Sequence, residues 1–196
     1  MNEYQAEFWE QRYKDSNTGW DLKEVSPPLK SYFEKLEDKS LRILIPGCGN
    51  AYEAAYLHTL GFKSVTLNDI SSTLVKSLRK KFKGQTIQVI HGNFFEHTGS
   101  YDLIVEQTFF CAIHPDLRTS YLKKCKELLS PAGKLAGLLF DKTFDEAGPP
   151  YGGNKSEYMA LFSRYFKILK MERCQESVTP RLGFELFFEC VAQSDY

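Results

Sequence analysis

The sequence predicts an α/β fold in which a mostly parallel sheet carries helices on both faces. Short apolar runs, several of them β-branched, alternate with helical patterns along the first 140 residues. These runs are apolar at nearly every position, which is typical of strands that are buried on both faces. After residue 154 the order becomes helix, strand, loop and strand. Two successive strands with no helix between them predict an antiparallel pair that closes one edge of the sheet.

Each predicted strand is a short, mostly apolar run. The runs lie at 42–45, 64–67, 86–90, 101–106, 134–140, 166–174 and 184–192. Strand and helix alternate through the first five runs, so right-handed crossovers should make these strands parallel.

Helices are predicted between the strands, at 51–60, 71–82 and 117–129. In the second of them, leucines and a phenylalanine recur every fourth residue behind Ser71, whose side chain can cap the helix. The first helix should end at Gly61, since glycine readily adopts the left-handed conformation that follows a helix.

The length and charge of the chain limit what it can do. A chain of 196 residues fits one domain, and no linker or repeat divides it. We expect a single domain over 1–196, with residues 1–38 as a helical arm ahead of a core at 39–196. Lys+Arg and Asp+Glu number 25 each, so no overall positive charge would attract nucleic acid or an anionic membrane. The partner we expect is a small molecule, bound by a monomer.

The N-terminal stretch and the cysteines indicate the compartment. The first residues are charged, and no apolar run approaches the about 18 residues that a membrane span needs. The five cysteines are odd in number and scattered, and they form no C-x-x-C pair. This pattern suits reduced thiols better than disulfides or zinc. We therefore expect a soluble cytoplasmic protein without a metal site.

A glycine turn follows the first strand. Gly47 and Gly49 lie between that strand and the next helix, where free backbone N–H groups can meet a ligand. A dinucleotide fingerprint would have a third small residue at position 52, but Tyr52 stands there. A P-loop would need Gly-Lys-Ser/Thr, which is absent. Both of these interpretations lose most of their support.

Two polar positions follow the next strands. Asp69 lies 20 residues beyond Gly49 at the end of the second strand, where an acidic side chain can bind both ribose hydroxyls. Its alternative role is to cap the helix that begins near Ser71. After the third strand, Asn93 can exchange hydrogen bonds with adenine and Phe94 can pack on the base, although either could simply fill the loop. Ribose and adenine recognition without a pyrophosphate site indicates S-adenosylmethionine.

These residues belong to a longer series of motifs. In order, the chain contains "FWEQRY", "LIPGCG", "DIS", "GNFFE", "YDLIVEQTFFCAIHPDLR", "LLSPAGKL", "GPPY" and "PRLGFE". In this order and spacing it resembles the class I S-adenosylmethionine-dependent methyltransferases. It is most similar to the halide and thiol (thiocyanate) methyltransferase branch of the thiopurine S-methyltransferase superfamily. The resemblance implies a Rossmann-like, seven-stranded sheet with an antiparallel last strand, and S-adenosylmethionine as cofactor.

The resemblance also assigns the N-terminal aromatics. In the similar family, aromatics at the positions of Trp9, Tyr13 and Trp20 fold over the cofactor as a lid, although Tyr13 replaces a tryptophan of the plant relatives. An aromatic face suits a sulfonium cation. The alternative is that Trp9 and Tyr13, four apart, form the buried stripe of a helix. Ile70 and Gln107, which directly follow the second and fourth strands, complete the predicted cofactor site.

The acceptor side is less defined by the sequence. His114 is a candidate base, but it could equally cap a loop, and the plant relatives tend to have an acid there. Tyr151 matches a tyrosine that the similar family places beside the substrate, and Arg181 could hold an anionic acceptor; the alternatives are a surface turn and a surface arginine. Phe109 and Phe110 could line the apolar side of the pocket, with one of them facing the core.

The predicted activity is methyl transfer from S-adenosylmethionine to a small thiol or similar soft nucleophile by direct in-line displacement. Such a nucleophile needs no general base when its pKa is low, which agrees with the lack of an evident catalytic dyad. The alternatives are a nitrogen, oxygen, halide or metalloid acceptor, an NAD-dependent oxidoreductase, and a cofactor-binding module without catalysis.

Overall fold

A seven-stranded sheet forms the centre of the structure, a computed structural model that describes residues 6–145 and 148–192. Its strands are Arg42–Pro46 (β1), Ser64–Asp69 (β2), Ile87–His91 (β3), Tyr101–Gln107 (β4), Leu129–Phe140 (β5), Phe166–Arg173 (β6) and Glu185–Ala192 (β7). They lie in the order β3-β2-β1-β4-β5-β7-β6. The first five are parallel, and β7 pairs antiparallel with both β5 and β6. The predicted sheet and its antiparallel last strand are confirmed.

The three helices predicted between the strands lie within one residue of their predicted bounds at each end. The helices of the structure span Ala6–Lys14 (α1), Pro27–Glu34 (α2), Tyr52–Thr59 (α3), Ser72–Lys81 (α4), Arg118–Leu128 (α5) and Lys155–Phe162 (α6). The hydroxyl of Ser71 accepts a hydrogen bond from the Leu74 N–H and caps α4, as predicted. Gly61 has φ +89° just after α3, which confirms the left-handed cap.

Both faces of the sheet are buried, because successive side chains of a strand point to opposite faces. In β1, Ile43 and Ile45 pack with Leu29 of α2 and Leu57 of α3 in one apolar cluster. Leu44 packs in a second cluster, which contains residues of α5 and α6. This double burial explains why the strands are apolar at nearly every position.

The fifth strand is longer than predicted. It begins at Leu129, which pairs with Tyr101, whereas the sequence predicts a start at residue 134. The pairing shifts register between Tyr101 and Leu103, and Ala132 has φ +62°. The Pro-Ala-Gly segment therefore forms an irregularity within the strand rather than a turn before it.

The parallel strands end at one edge of the sheet. The order of winding reverses between β1 and β4, which are neighbours in space but separated in sequence by β2 and β3. Ligands of such sheets bind outside the carboxyl ends of the strands at this reversal.

Three further findings concern the cysteines, the possible metal ligands and the helices. All five cysteines are buried and free. Over 6–145 and 148–192, no cluster of His, Cys, Asp and Glu could hold a metal ion. Within those same ranges, none of the helices combines the length and the apolar character that a membrane crossing requires.

Candidate active site

A cavity of about 490 Å³ opens at the carboxyl edge of the sheet. Its lining comes from the N-terminal arm, from the turns after β1 to β5 and from the β6–β7 loop. The predicted site residues that line it are Trp9, Tyr13, Trp20, Gly47, Asp69, Ile70, Asn93, Phe94, Phe109 and Arg181. Residues scattered over more than 170 positions of the sequence are thus brought to one site.

A smaller cavity of about 50 Å³ lies on the other side of Gly47 and Trp20. Gly49 and Gln107 line this cavity and not the larger one. The side-chain oxygen of Gln107 is buried, and it has no hydrogen-bond partner among the described residues. These two predicted cofactor residues therefore lie beside the main cavity.

The glycine turn needs its first glycine for two reasons. Gly47 has φ +55°, a conformation that other residues rarely adopt. A Cβ atom on Gly47 would lie 2.2 Å from Cδ2 of Phe109, so the ring packs directly on the bare backbone. Gly49 has φ +51°, and a Cβ there would lie 3.5 Å from the Tyr13 hydroxyl. The turn thus joins the arm to the segment after β4.

Asp69 sits at the end of β2 with its carboxylate on the cavity wall. It is 7% exposed. Its Oδ1 accepts the Ser71 N–H at 3.0 Å and its Oδ2 accepts the Gly49 N–H at 3.4 Å. Burial raises the pKa of this carboxyl to about 6. A carboxylate can accept about four hydrogen bonds, so capacity remains for ligand hydroxyls.

Asn93 and Phe94, which follow β3, line the cavity and also make contacts within the protein. Asn93 Oδ1 accepts the Phe95 N–H at 3.1 Å and caps a short 3-10 turn, Phe94–Glu96. Phe94 is 3% exposed, and its ring contacts those of Phe109 and Tyr121 at 5.4 Å between centroids. Both residues border the cavity and both also fill the loop, and contact with adenine stays a prediction.

The aromatic arm forms a cluster over the glycine turn. The Trp20 ring meets those of Trp9 and Tyr13 edge to face, with centroids 5.3 and 5.9 Å apart. Among the residues of α1, none is fully buried. Trp9 and Tyr13 are both half-buried and border the cavity, and Tyr13 also packs against the apolar cluster that contains residues of α2 and α3.

A carboxylate fastens the arm to the core. Glu10 of α1 accepts hydrogen bonds from the Ser71 hydroxyl at 2.8 Å and from the Thr73 N–H at 3.1 Å. It thereby binds N–H and hydroxyl groups at the N-terminus of α4, where a negative charge is favourable. Chiefly because of the bonds from Thr73, the pKa of Glu10 is lowered to about 2.

Two further hydrogen bonds fix the chain at Trp20 and at the next residue, Asp21. The Tyr52 hydroxyl donates to Asp21 Oδ2 at 3.2 Å, so the residue that replaces the third glycine of a dinucleotide fingerprint anchors the arm. Arg181 Nη2 donates to the Trp20 carbonyl at 2.7 Å. Arg181 is 8% exposed and also pairs with Glu185 at 3.3 Å. Its guanidinium therefore holds the arm from the β6–β7 loop.

A buried carboxyl at the end of β4 shapes the turn that follows it. Glu106 is fully buried, and its Oε1 accepts the N–H groups of Phe109 and Phe110, each at 2.7 Å. Its Oε2 has no partner among the described residues. Burial raises the pKa of Glu106 to about 8. The site prediction missed Glu106, although an acid that ends an apolar strand was a visible signal.

The turn after β4 separates two consecutive phenylalanines. Phe109 lines the cavity, whereas Phe110 is 1% exposed and packs against Tyr121 and Phe162 in the core. The prediction placed both in the substrate site, with one turned to the core. The structure identifies Phe110 as the core residue, because the bonds to Glu106 set the turn.

His114 and Tyr151 lie next to each other outside the cavity lining. Their rings meet at 5.4 Å between centroids. His114 Nδ1 accepts the Asp116 N–H at 3.3 Å and caps a 3-10 turn, the role that was its alternative. The Tyr151 N–H donates to the Cys111 carbonyl at 2.6 Å, and the Tyr151 carbonyl accepts from Arg118 at 3.2 Å. Tyr151 therefore fixes the loop by its backbone.

The end of the cavity beyond Phe109 is apolar. Its lining includes Phe140, Phe144, Pro149, Pro150, Pro180 and Phe184, with Lys142 among them. These residues come from the end of β5, the loop after it and the β6–β7 loop. We call this part the acceptor end and the part around Asp69 the cofactor end.

Comparison with known proteins agrees with this geometry. The family model for thiopurine S-methyltransferase matches residues 4–193. The chain is 32% identical to probable thiol methyltransferase 2 of Arabidopsis thaliana, over 94% of the chain and 84% of that protein. It is 29% identical to thiocyanate methyltransferase 1 of Brassica oleracea, over 90% and 81%. It is 26% identical to a thiopurine S-methyltransferase of Vibrio parahaemolyticus, over 81% and 82%.

Solved structures share the fold at lower identity. The Burkholderia thailandensis 1,6-didemethyltoxoflavin-N1-methyltransferase, solved with S-adenosylhomocysteine, superposes with a TM-score of 0.78 at 18% identity, over 95% of this chain and 86% of that one. A TehB-like methyltransferase of Corynebacterium glutamicum gives 0.68 at 16% identity, over 96% and 98%. Both confirm the Rossmann-like sheet. The chain therefore belongs to the thiopurine S-methyltransferase family and is an S-adenosylmethionine-dependent methyltransferase.

Proposed function

We propose that this protein moves the methyl group of S-adenosylmethionine to the sulfur, or a similarly soft atom, of a small molecule. One observation carries the choice of a soft acceptor. Among the described residues that line the cavity, Asp69 is the only carboxylate, and none is a histidine. Among these described residues, the acceptor end thus presents no carboxylate or histidine that could act as a general base. A thiol of low pKa is already ionised and needs none, whereas an alcohol must lose a proton as it reacts.

The cavity runs along the edge of the sheet from β2 to β5. Asp69 ends β2 and Phe140 ends β5, and β1 and β4 lie between these strands. Three strand spacings separate the two ends by roughly 14 Å. The cofactor and the acceptor can therefore lie side by side along the edge of the sheet.

The residues of the cofactor end fit an adenosyl ligand. Asp69 would hold the ribose hydroxyls, and Asn93 and Phe94 would border the adenine. The turn at Gly47 leaves a bare backbone for the methionine end, and Trp20 offers an aromatic face toward a cation. Bound there, S-adenosylmethionine supplies a methyl group that its sulfonium has already activated.

The residues of the acceptor end would orient the acceptor and exclude water. The ring of Phe109 lies between the glycine turn and the acceptor end, so it would border both molecules. Apolar walls weaken the hydration of a thiolate and leave it a stronger nucleophile. Arg181 contributes by holding Trp20 in place, and Tyr151 by fixing the loop through its backbone.

Isothermal titration calorimetry with S-adenosylhomocysteine and with NAD tests the cofactor site. We expect S-adenosylhomocysteine to bind and NAD to show no heat. Tight binding of NAD alone would point to an oxidoreductase and overturn the proposal, although Tyr52 argues against that interpretation.

A radiolabelled methyl-transfer screen tests the acceptor class. The panel holds thiols, thiopurines, halides, thiocyanate, amines and alcohols, each with labelled S-adenosylmethionine. Transfer to a thiol at a rate well above that to amines and alcohols is the expected result. Preferential transfer to nitrogen or oxygen would show that the acceptor is not a soft nucleophile, and binding without transfer to any compound would favour a module without catalysis.

The assembly and location belong to the same proposal. We place this activity in a cytoplasmic monomer that contacts neither nucleic acid nor membrane. The balanced charges, 25 of each sign, and the five free, buried thiols support this assignment. Light scattering after size exclusion would report the mass, and a dimer of about twice 22.6 kDa would contradict the monomer.

A further inference from the structure

The acceptor end places one cation among apolar walls. Six of its apolar residues are phenylalanines and prolines, whose side chains present rings and no hydrogen-bond donors. Phe184 keeps 43% of its surface exposed at the mouth, so part of its ring remains available to a bound molecule. An aromatic or similarly flat apolar body would gain most from contact with such walls.

Three cationic side chains of the described residues line the whole cavity, and they differ in their partners. Arg181 pairs with the Glu185 carboxylate and donates to the Trp20 carbonyl, so its charge is already neutralised. Arg12 belongs to α1, which packs on α4 at the cofactor end, and its guanidinium lies 5.0 Å from the Phe8 ring centroid. Of these three, Lys142 is the one that lies at the acceptor end without a compensating charge.

Lys142 is held at the mouth of the acceptor end. Its Nζ lies 4.9 Å from the ring centroid of Phe184 and 5.4 Å from that of Phe144. No carboxylate of the described residues forms a salt bridge with it. Its backbone is fixed as well, because its carbonyl accepts the Gly153 N–H at 3.0 Å. The two rings attract the ammonium group and keep it over the opening.

This combination selects a particular acceptor. A bare inorganic anion would lose hydration against the apolar walls and gain only one exposed cation in return. A neutral apolar thiol would make no use of the ammonium group. Resting on the proposed methyl transfer to sulfur, we propose that Lys142 binds an anionic group, such as a carboxylate, that the acceptor carries apart from its sulfur.

Kinetics with a matched pair of thiols test the inference. The pair is 4-mercaptobenzoate and 4-mercaptobenzamide, which have nearly the same shape and differ in charge. We expect Lys142→Met to raise KM for the acid about five-fold, the range of an exposed ion pair, and to change KM for the amide less than two-fold. Lys142→Glu should raise KM for the acid roughly 20-fold, because it adds a repulsion.

A binding measurement keeps the test independent of turnover. The S-methylated products of the two thiols are titrated into the complex with S-adenosylhomocysteine, and the acid should lose affinity in Lys142→Met by the same factor. The affinity for S-adenosylhomocysteine itself should not change. Lys76→Met removes an equally exposed lysine from α4, outside the cavity, and should leave every value unaltered.

The outcomes separate the inference from the proposed function. If neither thiol is methylated but the acid product still binds better through Lys142, the methyl transfer to sulfur fails and the anion subsite stands. If both are methylated and Lys142→Met affects acid and amide alike, the subsite is wrong and the transfer stands. If thiocyanate is preferred to 4-mercaptobenzoate and is the compound that depends on Lys142, the subsite for a separate anionic group is overturned.

Discussion

The two ends of the cavity are built from different materials. At the cofactor end, backbone N–H groups and the Asp69 carboxylate meet at a tight turn, and these polar groups have defined partners. At the acceptor end, phenylalanines and prolines form the walls, and Lys142 is the one cation without a compensating charge among the described lining residues there. The first arrangement fits one ligand by fixed hydrogen bonds, whereas the second can suit different acceptors through a few side chains. Under the proposed function, cofactor recognition resides in the ends of strands, and acceptor choice resides in loops.

The largest effect is expected where the two ends touch, at Gly47. A Cβ atom there would lie 2.2 Å from the Phe109 ring and would also force φ +55° on a residue that disfavours it. Gly47→Ala should lower the free energy of unfolding by about 3 kcal/mol and weaken S-adenosylhomocysteine binding more than about 10-fold. Urea unfolding and calorimetry measure the two quantities.

Gly61→Ala is the matched control for that substitution. Gly61 has φ +89°, but nothing lies within 4 Å of a Cβ built there. It should cost about 1 kcal/mol from the backbone alone and leave ligand affinity intact. Equal losses in the two variants would show that the contact with Phe109 contributes nothing.

The next largest effect is a loss of cofactor affinity in a variant of Asp69, with no change at the acceptor end. Asp69→Asn removes the charge but preserves the size, and it should weaken S-adenosylhomocysteine binding about 10-fold, because a charged acceptor bonds hydroxyls more strongly. The acceptor KM at saturating cofactor should stay within two-fold. Asp38→Asn serves as control, since Asp38 also accepts an N–H two residues on, from Ser40 at 2.9 Å, but is exposed. Unchanged affinity in Asp69→Asn would show that the ribose does not bind at Asp69.

A smaller effect, on the pH dependence of stability, is expected at Glu106, which shapes the turn that carries Phe109. The pKa of Glu106 is raised to about 8 in the folded protein, from an ordinary value of 4.5. Its contribution to stability is complete below pH 4.5 and is lost as the pH rises toward 8, because the unfolded chain ionises first. Glu185 faces the same carboxyl and raises its pKa further.

Glu106→Gln should remove this dependence while it keeps an acceptor for the two N–H groups. Between about pH 6 and 7 the wild-type protein should lose about 1 kcal/mol more than the variant, as measured by urea unfolding at both pH values. Parallel curves for the two proteins would mean that Glu106 is ionised in the folded state.

The smallest effect is expected at His114. Its ring caps a turn outside the cavity lining, so His114→Ala should change kcat less than about two-fold and stability by about 0.5 kcal/mol. If turnover instead fell by roughly two orders of magnitude and the acidic limb of the pH profile disappeared, His114 would be a general base. That result would contradict the choice of a soft acceptor.

The sequence predicted the cofactor end better than the acceptor end, for a physical reason. Strand ends and a glycine turn have fixed spacing, so Gly47 and Asp69 could be found from their distance along the chain. Two hydrogen bonds to Glu106 decide which of Phe109 and Phe110 faces the cavity. The position of Lys142 depends on its contact with Phe184, which is distant in sequence. The local pattern of the sequence does not reveal such contacts.

The same reasoning explains the one misplaced strand boundary. Pro131 and Gly133 favour a turn in isolation, and the predicted strand begins after them, at residue 134. The pairing of Leu129 with Tyr101 extends the strand through them. Tertiary pairing therefore overrides local preference at this point, as it does in the loops of the acceptor end.

The bond between Glu10 and α4 makes the movement of the arm observable. The Thr73 N–H donates to Glu10 at 3.1 Å, and its position in the first turn of the helix leaves it without an intrahelical partner. Whenever the arm detaches, this amide meets water and can exchange its hydrogen for deuterium. The exchange rate at Thr73, compared with that of an amide in the middle of α4, would therefore measure how often the cavity opens and how far a bound cofactor closes it.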